Sequence, residues 1–314
     1  MSVSHRITLE MTAWRARVRQ QLGSCEPILS TRPWLVLRDI LVDWMIMLAA
    51  CAGSMHFGAG AFLLSLIVIG NRQRALGNIL HDAGHRNISR RRAINDLIAM
   101  VLVAPALFSD LQTYRQTHAQ HHAALGDTGS DPDLIKPGAP TTSAWRATYL
   151  QLLMQRRSWF SSLFGHLYSG ISLSRGVWVV LWWCGLLMVM NAELGSAFTA
   201  YFVALWMLSR ATVFHAITTF REMCDHFGLT PGGVFSFTRD IPARGPLRWL
   251  IHPRNNGFHL THHLMPAIPY YHLPLAHQLF LRVKEFTEQG AVCDAYFFGT
   301  RAVTCRSIYS QVLL

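Results

Sequence analysis

Residues 254–266 read Arg254-Asn255-Asn256-Gly257-Phe258-His259-Leu260-Thr261-His262-His263-Leu264-Met265-Pro266. In a helix, positions i, i+3 and i+4 share one face, so His259, His262 and His263 aim three imidazoles at one point. Neutral imidazole is the commonest metal ligand and suits iron, zinc and copper. A single histidine has a plain alternative as a satisfied core or surface residue. Here the spacing recurs: His118-Ala119-Gln120-His121-His122 repeats it, and His81-Asp82-Ala83-Gly84-His85 adds a pair at i, i+4. Eight histidines in three helical clusters exceed what packing explains, and the chain reads as a polyhistidine metal site.

Around these clusters the chain is apolar. Of 314 residues 51% are hydrophobic and 14% charged, against roughly a quarter charged in a soluble domain. Mean hydropathy is +0.23. The deficit of charge points to lipid. Net charge is +11, and all 28 basic residues except Lys136 and Lys284 are arginine. A basic balance also suits nucleic acid, but these arginines flank apolar runs. The positive-inside rule and anionic headgroups explain them more simply, so no nucleic-acid partner is expected. Six cysteines without a CxxC motif imply reduced thiols. The polar first 35 residues carry no cleavable signal peptide.

The apolar runs set the expected architecture. Residues 34–54 and 57–69 form a membrane hairpin linked near Ser54-Met55-His56, and its second helix carries His81 and His85 past the bilayer. Residues 97–108, short and holding Pro105, read as re-entrant or interfacial, not spanning. Residues 176–190 and 194–214 make a second pair of spans around the turn Asn191-Ala192-Glu193. Arginines crowd residues 71–175 and are absent from both short turns, which places the clusters and both termini in the cytoplasm. The predicted fold is an all-α integral membrane protein with about four transmembrane helices and a cytoplasmic histidine-rich cap domain. Residues 1–35 form an N-terminal interfacial segment, 36–280 the membrane domain and 281–314 a C-terminal tail, with a helix over 275–288. Ile7, Met11, Trp14 and Val18 lie at helical spacing, which suits either a helix on the membrane surface or one packed on its own domain.

Glu222-Met223-Cys224-Asp225-His226 follows the last span, and Glu222 and His226 stand i, i+4. His215 falls on roughly the same face as a weaker candidate. Asp82 and Asp225 sit beside ligands and suit the role of orienting imidazoles through the second ring nitrogen. His81, His85, His118, His121, His122, His226, His259, His262 and His263 are too many for one metal and suit two, each with an open position. No HExxH supports zinc hydrolysis. A soluble carboxylate-bridged bundle needs Glu-x-x-His pairs, one residue shorter than Glu222 to His226. Nitrogen-rich ligation with open positions favours iron and oxygen chemistry.

The HxxxH, HxxHH, HxxHH series resembles the membrane fatty acid desaturase and hydroxylase superfamily. So do Asn95-Asp96 after the first box, Asp131-Pro132-Asp133 after the second, and Ile268-Pro269-Tyr270-Tyr271-His272-Leu273-Pro274 after the third. The resemblance covers about residues 40–280. It implies two iron ions held by the boxed histidines, with O2 as co-substrate and a fatty acyl chain carried on CoA, a carrier protein or a lipid. Its additional ligand pair resembles Glu222 and His226, which makes Glu222 the catalytic candidate. Some relatives carry a neutral amide where this chain has Glu222, so ligand, water anchor and outer contact all stay open for it. The resemblance further implies attack on an unactivated C–H bond. Loss of a second hydrogen gives an alkene, and addition of hydroxyl gives an alcohol. Trp44, Met47, Trp178, Trp182, Trp183, Trp206 and Met207 either line an acyl tunnel or simply pack.

No haem segment, iron–sulfur cysteine set or GxGxxG is evident. Electrons are therefore expected from a separate ferredoxin, rubredoxin or cytochrome docking on the arginine-rich face. The expected location is a bacterial inner membrane, with the active site on the cytoplasmic side among membrane lipids. A hydroxylase or carotenoid ketolase of the same superfamily is the alternative. A metal transporter would place its histidines and carboxylates inside the spans.

Overall fold

The computed structural model describes residues 2–134 and 145–304, and they are mostly helical with almost no strand. They form two compact units interleaved along the chain: residues 1–31, 115–149 and 220–314 in one, 32–114 and 150–219 in the other.

The second of these units begins with Pro33–Gly84, a helical run broken at Gly58, whose φ of 76° and ψ of −160° suit a residue without a Cβ. A straight helix would separate residues 43 and 72 by about 43 Å at about 1.5 Å per residue. Instead Arg72 donates to Asp43 at 3.0 Å, and the Ser65 hydroxyl donates to the Ala50 carbonyl at 2.8 Å. The run is therefore a hairpin, with its reversal just past the expected link.

Among the described residues, Leu173–Leu194 and Ser196–His226 are long and apolar enough to cross a membrane. The hairpin is not one of these two. One arm carries Arg38, Asp39 and Asp43, and the other runs into Arg72 and Arg74. Leu173, Val180, Leu181, Met188 and Val189 are exposed along the first of these two helices, a surface suited to lipid rather than water.

The expected re-entrant piece is the helix Arg92–Leu102 followed by a tight turn, Pro105–Leu107. A helix end leaves its last carbonyls without partners, and hydrocarbon supplies no donor. Three indoles of the Leu173–Leu194 helix fill the gap. Trp178 donates to Met100 O at 3.2 Å, Trp182 to Val101 O at 2.7 Å, and Trp183 to Pro105 O at 2.9 Å. These tryptophans cap backbone, whatever else they line. Arg210 opens a π-turn, Arg210–Phe214, and donates to the carbonyls of Ser162 at 2.5 Å, Leu163 at 3.0 Å and Leu107 at 3.3 Å. The bulge lies so close to the hairpin that a Cβ on Gly70 would stand 2.8 Å from Val213 Cβ and 2.9 Å from Phe214 N.

In the other unit, Val3–Leu22 buries Ile7, Trp14 and Val18. The Trp14 ring meets Phe280, Phe235 and Phe286 at centroid distances of 5.0, 5.5 and 5.9 Å. Of the two readings the stripe allowed, packing on its own unit is the one observed. The Glu10 carboxylate caps the next turn, accepting from Val234 N at 2.7 Å and Phe235 N at 3.0 Å. The expected helix over 275–288 is broken into Leu273–Phe280 and Lys284–Gln289, because the link between them turns inward to bury Val283. A short parallel pairing of Arg239–Asp240 with Ala291–Val292 ties that region to the third histidine cluster.

Candidate metal centre

Leu111–Ala123 and His259–Leu264 each bring histidines on adjacent turns of one face, and the end of His215–His226 adds His226. The ligand atoms of His121, His226, His259 and His263 lie within 4.8 Å of one another. His259 Nε2 stands 3.0 Å from His226 Nε2 and 3.0 Å from His263 Nε2. The protons decide what this means. His226 Nδ1 meets the Phe237 carbonyl at 2.7 Å, and a carbonyl only accepts, so Nδ1 donates and Nε2 of the neutral ring is a bare lone pair. His121 Nδ1 donates likewise to Asp131 at 2.8 Å. His259 Nδ1 faces the Asp225 carboxylate at 3.6 Å, longer than a hydrogen bond but close enough for the charge to favour the proton on that nitrogen. Bare lone pairs aimed at each other repel unless a cation lies between them. Two nitrogens each about 2.1 Å from one ion and at right angles to it stand about 3.0 Å apart. The donor set fits a metal.

A second set forms beside it. His122 Nε2 lies 3.1 Å from His118 Nε2 and 3.2 Å from His262 Nε2. The His122 ring stacks on His263 with centroids 4.1 Å apart, so the two sets adjoin. His81 and His85 belong to the other unit, where they stand together at the end of the hairpin with ring centroids 5.0 Å apart.

Electrostatics favour ligation. Burial, reinforced by neighbouring imidazoles, pushes His263 well below the ordinary histidine range. Burial does the same to His259 and outweighs the opposing pull of Asp225. Both rings are therefore neutral, the form that binds a metal. Burial alone would lower His121 too, but its hydrogen bond to Asp131 and the charges of Asp133 and Asp131 prevail and raise it.

The expected orienting carboxylates are present. Asp225 accepts from Arg221 at 2.8 Å while facing His259, and Asp82 Oδ1 lies 3.7 Å from His81 Nδ1. Asp131 belongs to the same class. Asp240 carries no comparable mark in the sequence. Fully buried, it accepts from Thr261 N at 2.9 Å, Thr261 Oγ1 at 2.5 Å and His277 Nδ1 at 2.6 Å, which fixes the start of the His259–Leu264 helix. The chain enters that helix through Arg254 and Asn255, both left-handed at φ 58° and 59°. Asn255 holds the turn by accepting from Arg248 at 2.5 Å and donating to Tyr270 O at 3.0 Å.

Two candidates fall elsewhere. The Glu222 side chain is 48% exposed and lies 3.7 Å from Arg221; among the described residues it is not one of the groups whose donor atoms gather. His215 meets Ser162 Oγ at 2.8 Å and Leu153 O at 3.2 Å, the contacts of a structural histidine.

Comparison with known proteins points the same way. A protein-family model described as Fatty acid desaturase matches residues 55–297. A dihydrorhizobitoxine desaturase of Bradyrhizobium elkanii is 25% identical over 290 residues, covering 85% of this chain and 81% of that protein. A beta-carotene ketolase of Haematococcus lacustris is 27% identical over 122 residues, 38% of this chain and 35% of its own length. An sn-1 oleoyl-lipid 12-desaturase of Anabaena variabilis is 27% identical over 89 residues, 27% of this chain and 25% of its own.

Proposed function

Because the chain belongs to the fatty acid desaturase family, we propose that it is an O2-dependent membrane desaturase that places a double bond in a fatty acyl chain. One iron is held by His121, His226, His259 and His263. The other is held by His118, His122 and His262 together with the first-box pair His81 and His85, assigned from the box pattern. Iron so held supplies oxidation of an unactivated C–H bond with O2 and external electrons. The protein's own part is to keep His226, His259 and His263 neutral, aim the ring nitrogens at one point, and hold that aim through Asp131, Asp225 and Asp240.

The observation that supports this reading most is the convergence of imidazole Nε2 atoms at 3.0 Å. Four spans, a cytoplasmic centre and a separate ferredoxin, rubredoxin or cytochrome donor belong to the same proposal. Hydroxylation or ketone formation is the second reading, favoured by the partial match to a carotene ketolase. The substrate name of the dihydrorhizobitoxine desaturase widens the acyl reading to other chains bearing an unactivated C–H bond. The test is metal analysis of purified protein, with lipid profiling of an expressing host beside His262→Ala. Two irons per chain and a new unsaturated product absent from the variant support the proposal. Zinc without iron, or an alcohol or ketone as the product, overturns the desaturase reading.

A further inference from the structure

Asp225 is buried and has two oxygens with different duties. Oδ2 accepts from Arg221 at 2.8 Å and faces His259 Nδ1 at 3.6 Å; Oδ1 faces His252 Nε2 at 3.7 Å. The other nitrogen of His252, Nδ1, lies 2.8 Å from the Tyr296 hydroxyl. His252 and Tyr296 are 2% and 3% exposed, so water does not compete for either group. Their rings are nearly parallel at 18°, and the loop before the third box closes on them. A Cβ on Gly257 would stand 3.2 Å from His252 Cγ and 3.0 Å from the Ile241 carbonyl, so glycine is what lets the loop pass this close to the ring.

We propose that Tyr296 is a positioning residue for the metal ligand His259, acting through His252 and Asp225. The logic is one of proton placement. A neutral imidazole carries one N–H, and a phenol hydroxyl has one proton to give. Because the phenol stays protonated in this buried place, it donates to His252 Nδ1, which puts the ring's proton on Nε2, facing Asp225. The carboxylate then faces N–H groups on both sides, from His252 and from His259. That arrangement keeps the His259 proton on Nδ1 and leaves Nε2 bare toward the other ligands. Without the hydroxyl, His252 has lost the donor that selects its tautomer. When the proton moves to Nδ1, a lone pair faces Asp225 and the carboxylate loses its alignment on His259.

The inference rests on the metal-centre reading, and the experiment separates the two. Apoprotein is titrated with Co(II), whose absorption bands report the ligand field, in wild type, Tyr296→Phe, His252→Gln and the double variant. Phenylalanine keeps the ring and removes only the hydroxyl. Glutamine offers Asp225 an amide N–H that needs no tautomer. Outer partners of metal ligands change affinity by about 10–100-fold, and Tyr296 acts one link further out, so Tyr296→Phe is expected to weaken one binding step by about threefold to tenfold. Its Co(II) bands shift, while the melting temperature of the apoprotein holds. In the His252→Gln background the same change has no further effect, because the route runs through His252. Unchanged affinity and spectrum in Tyr296→Phe, an equal loss in the glutamine background, or a fall in apoprotein melting that accounts for the loss each overturn the proposal. If wild type takes up no metal, the metal centre itself fails and this inference goes with it.

Discussion

Asp131 and Asp225 act on histidines by choosing which ring nitrogen is bare, and this gives the residue-scale predictions their sign. Asparagine at either position keeps the volume but turns one oxygen into a donor, so the facing N–H loses its acceptor. Asp225→Asn and Asp131→Asn are each expected to weaken iron retention by about 10–100-fold, read by metal analysis after dialysis against a chelator. Glu222→Gln is the contrasting case. Its carboxylate is half exposed and meets Arg221 at 3.7 Å, an arrangement worth about 1 kcal/mol or less. Iron content in that variant should match wild type, and a loss as large as that of Asp225→Asn would make Glu222 a ligand. The depressed values of His259 and His263 also set a pH dependence. With folded values below the unfolded value of about 6.5, the unfolded chain binds more protons, so apoprotein stability rises with pH and is lost as pH falls below about 6.5. Burial depresses His226 as well, to about 4, so His121, which is raised and works in the opposite direction, is one ring against three at the centre. Thermal melting of the apoprotein between about pH 7.5 and 5 checks the sign.

At the scale of elements, the third box is a helix of only six residues, His259–Leu264, far below the length at which a helix stands alone. Its geometry is borrowed from Asp240, which satisfies Thr261 and His277 from within the core. Removing that carboxylate leaves several buried donors without an acceptor, each at a cost of about 1–3 kcal/mol. Asp240→Ala should therefore lower the melting temperature and release iron together, measured on the same preparation. The sequence made the box legible because its spacing is local. Asp240, His252 and Tyr296 come from other segments, and no local period marks a residue whose partner lies 21, 27 or 37 positions away. The same limit applied to Trp178, Trp182 and Trp183, whose indole donors could be counted but whose carbonyl partners some 80 positions earlier could not. Packing at the π-turn gives a second prediction at this scale. Gly70→Ala puts a methyl 2.9 Å from the Phe214 backbone nitrogen, which cannot rotate away. Overpacking of this kind costs about 1–3 kcal/mol, and Val213→Ala should not relieve it because the backbone atom and Val213 Cβ both remain.

At the scale of the molecule, hydropathy picked out the two helices long and apolar enough to cross a membrane, Leu173–Leu194 and Ser196–His226, because apolar length is a property of a single run. It did not reveal that the histidine-bearing unit is assembled from residues 1–31, 115–149 and 220–314, since a contiguous division has no means of showing interleaving. The hairpin was legible as a reversal but not as a turn at Gly58, where a single left-handed residue does the work of a longer link. What remains to be measured is the side of the membrane, and the arginine distribution commits to an answer. Arg86, Arg90, Arg91 and Arg92 follow the first box, whereas the turn at Asn191-Ala192-Glu193 has no basic residue. Positive charge is retained in the cytoplasm, so the second turn is expected to face away from it. In a background with Cys25 and Cys184 replaced by serine, Glu193→Cys should react with a membrane-impermeant maleimide in intact cells. Arg90→Cys should react only after the membrane is opened. The reverse pattern would put the histidines outside, beyond reach of a cytoplasmic electron donor; labelling of both positions in intact cells would mean that the Leu173–Leu194 helix does not cross.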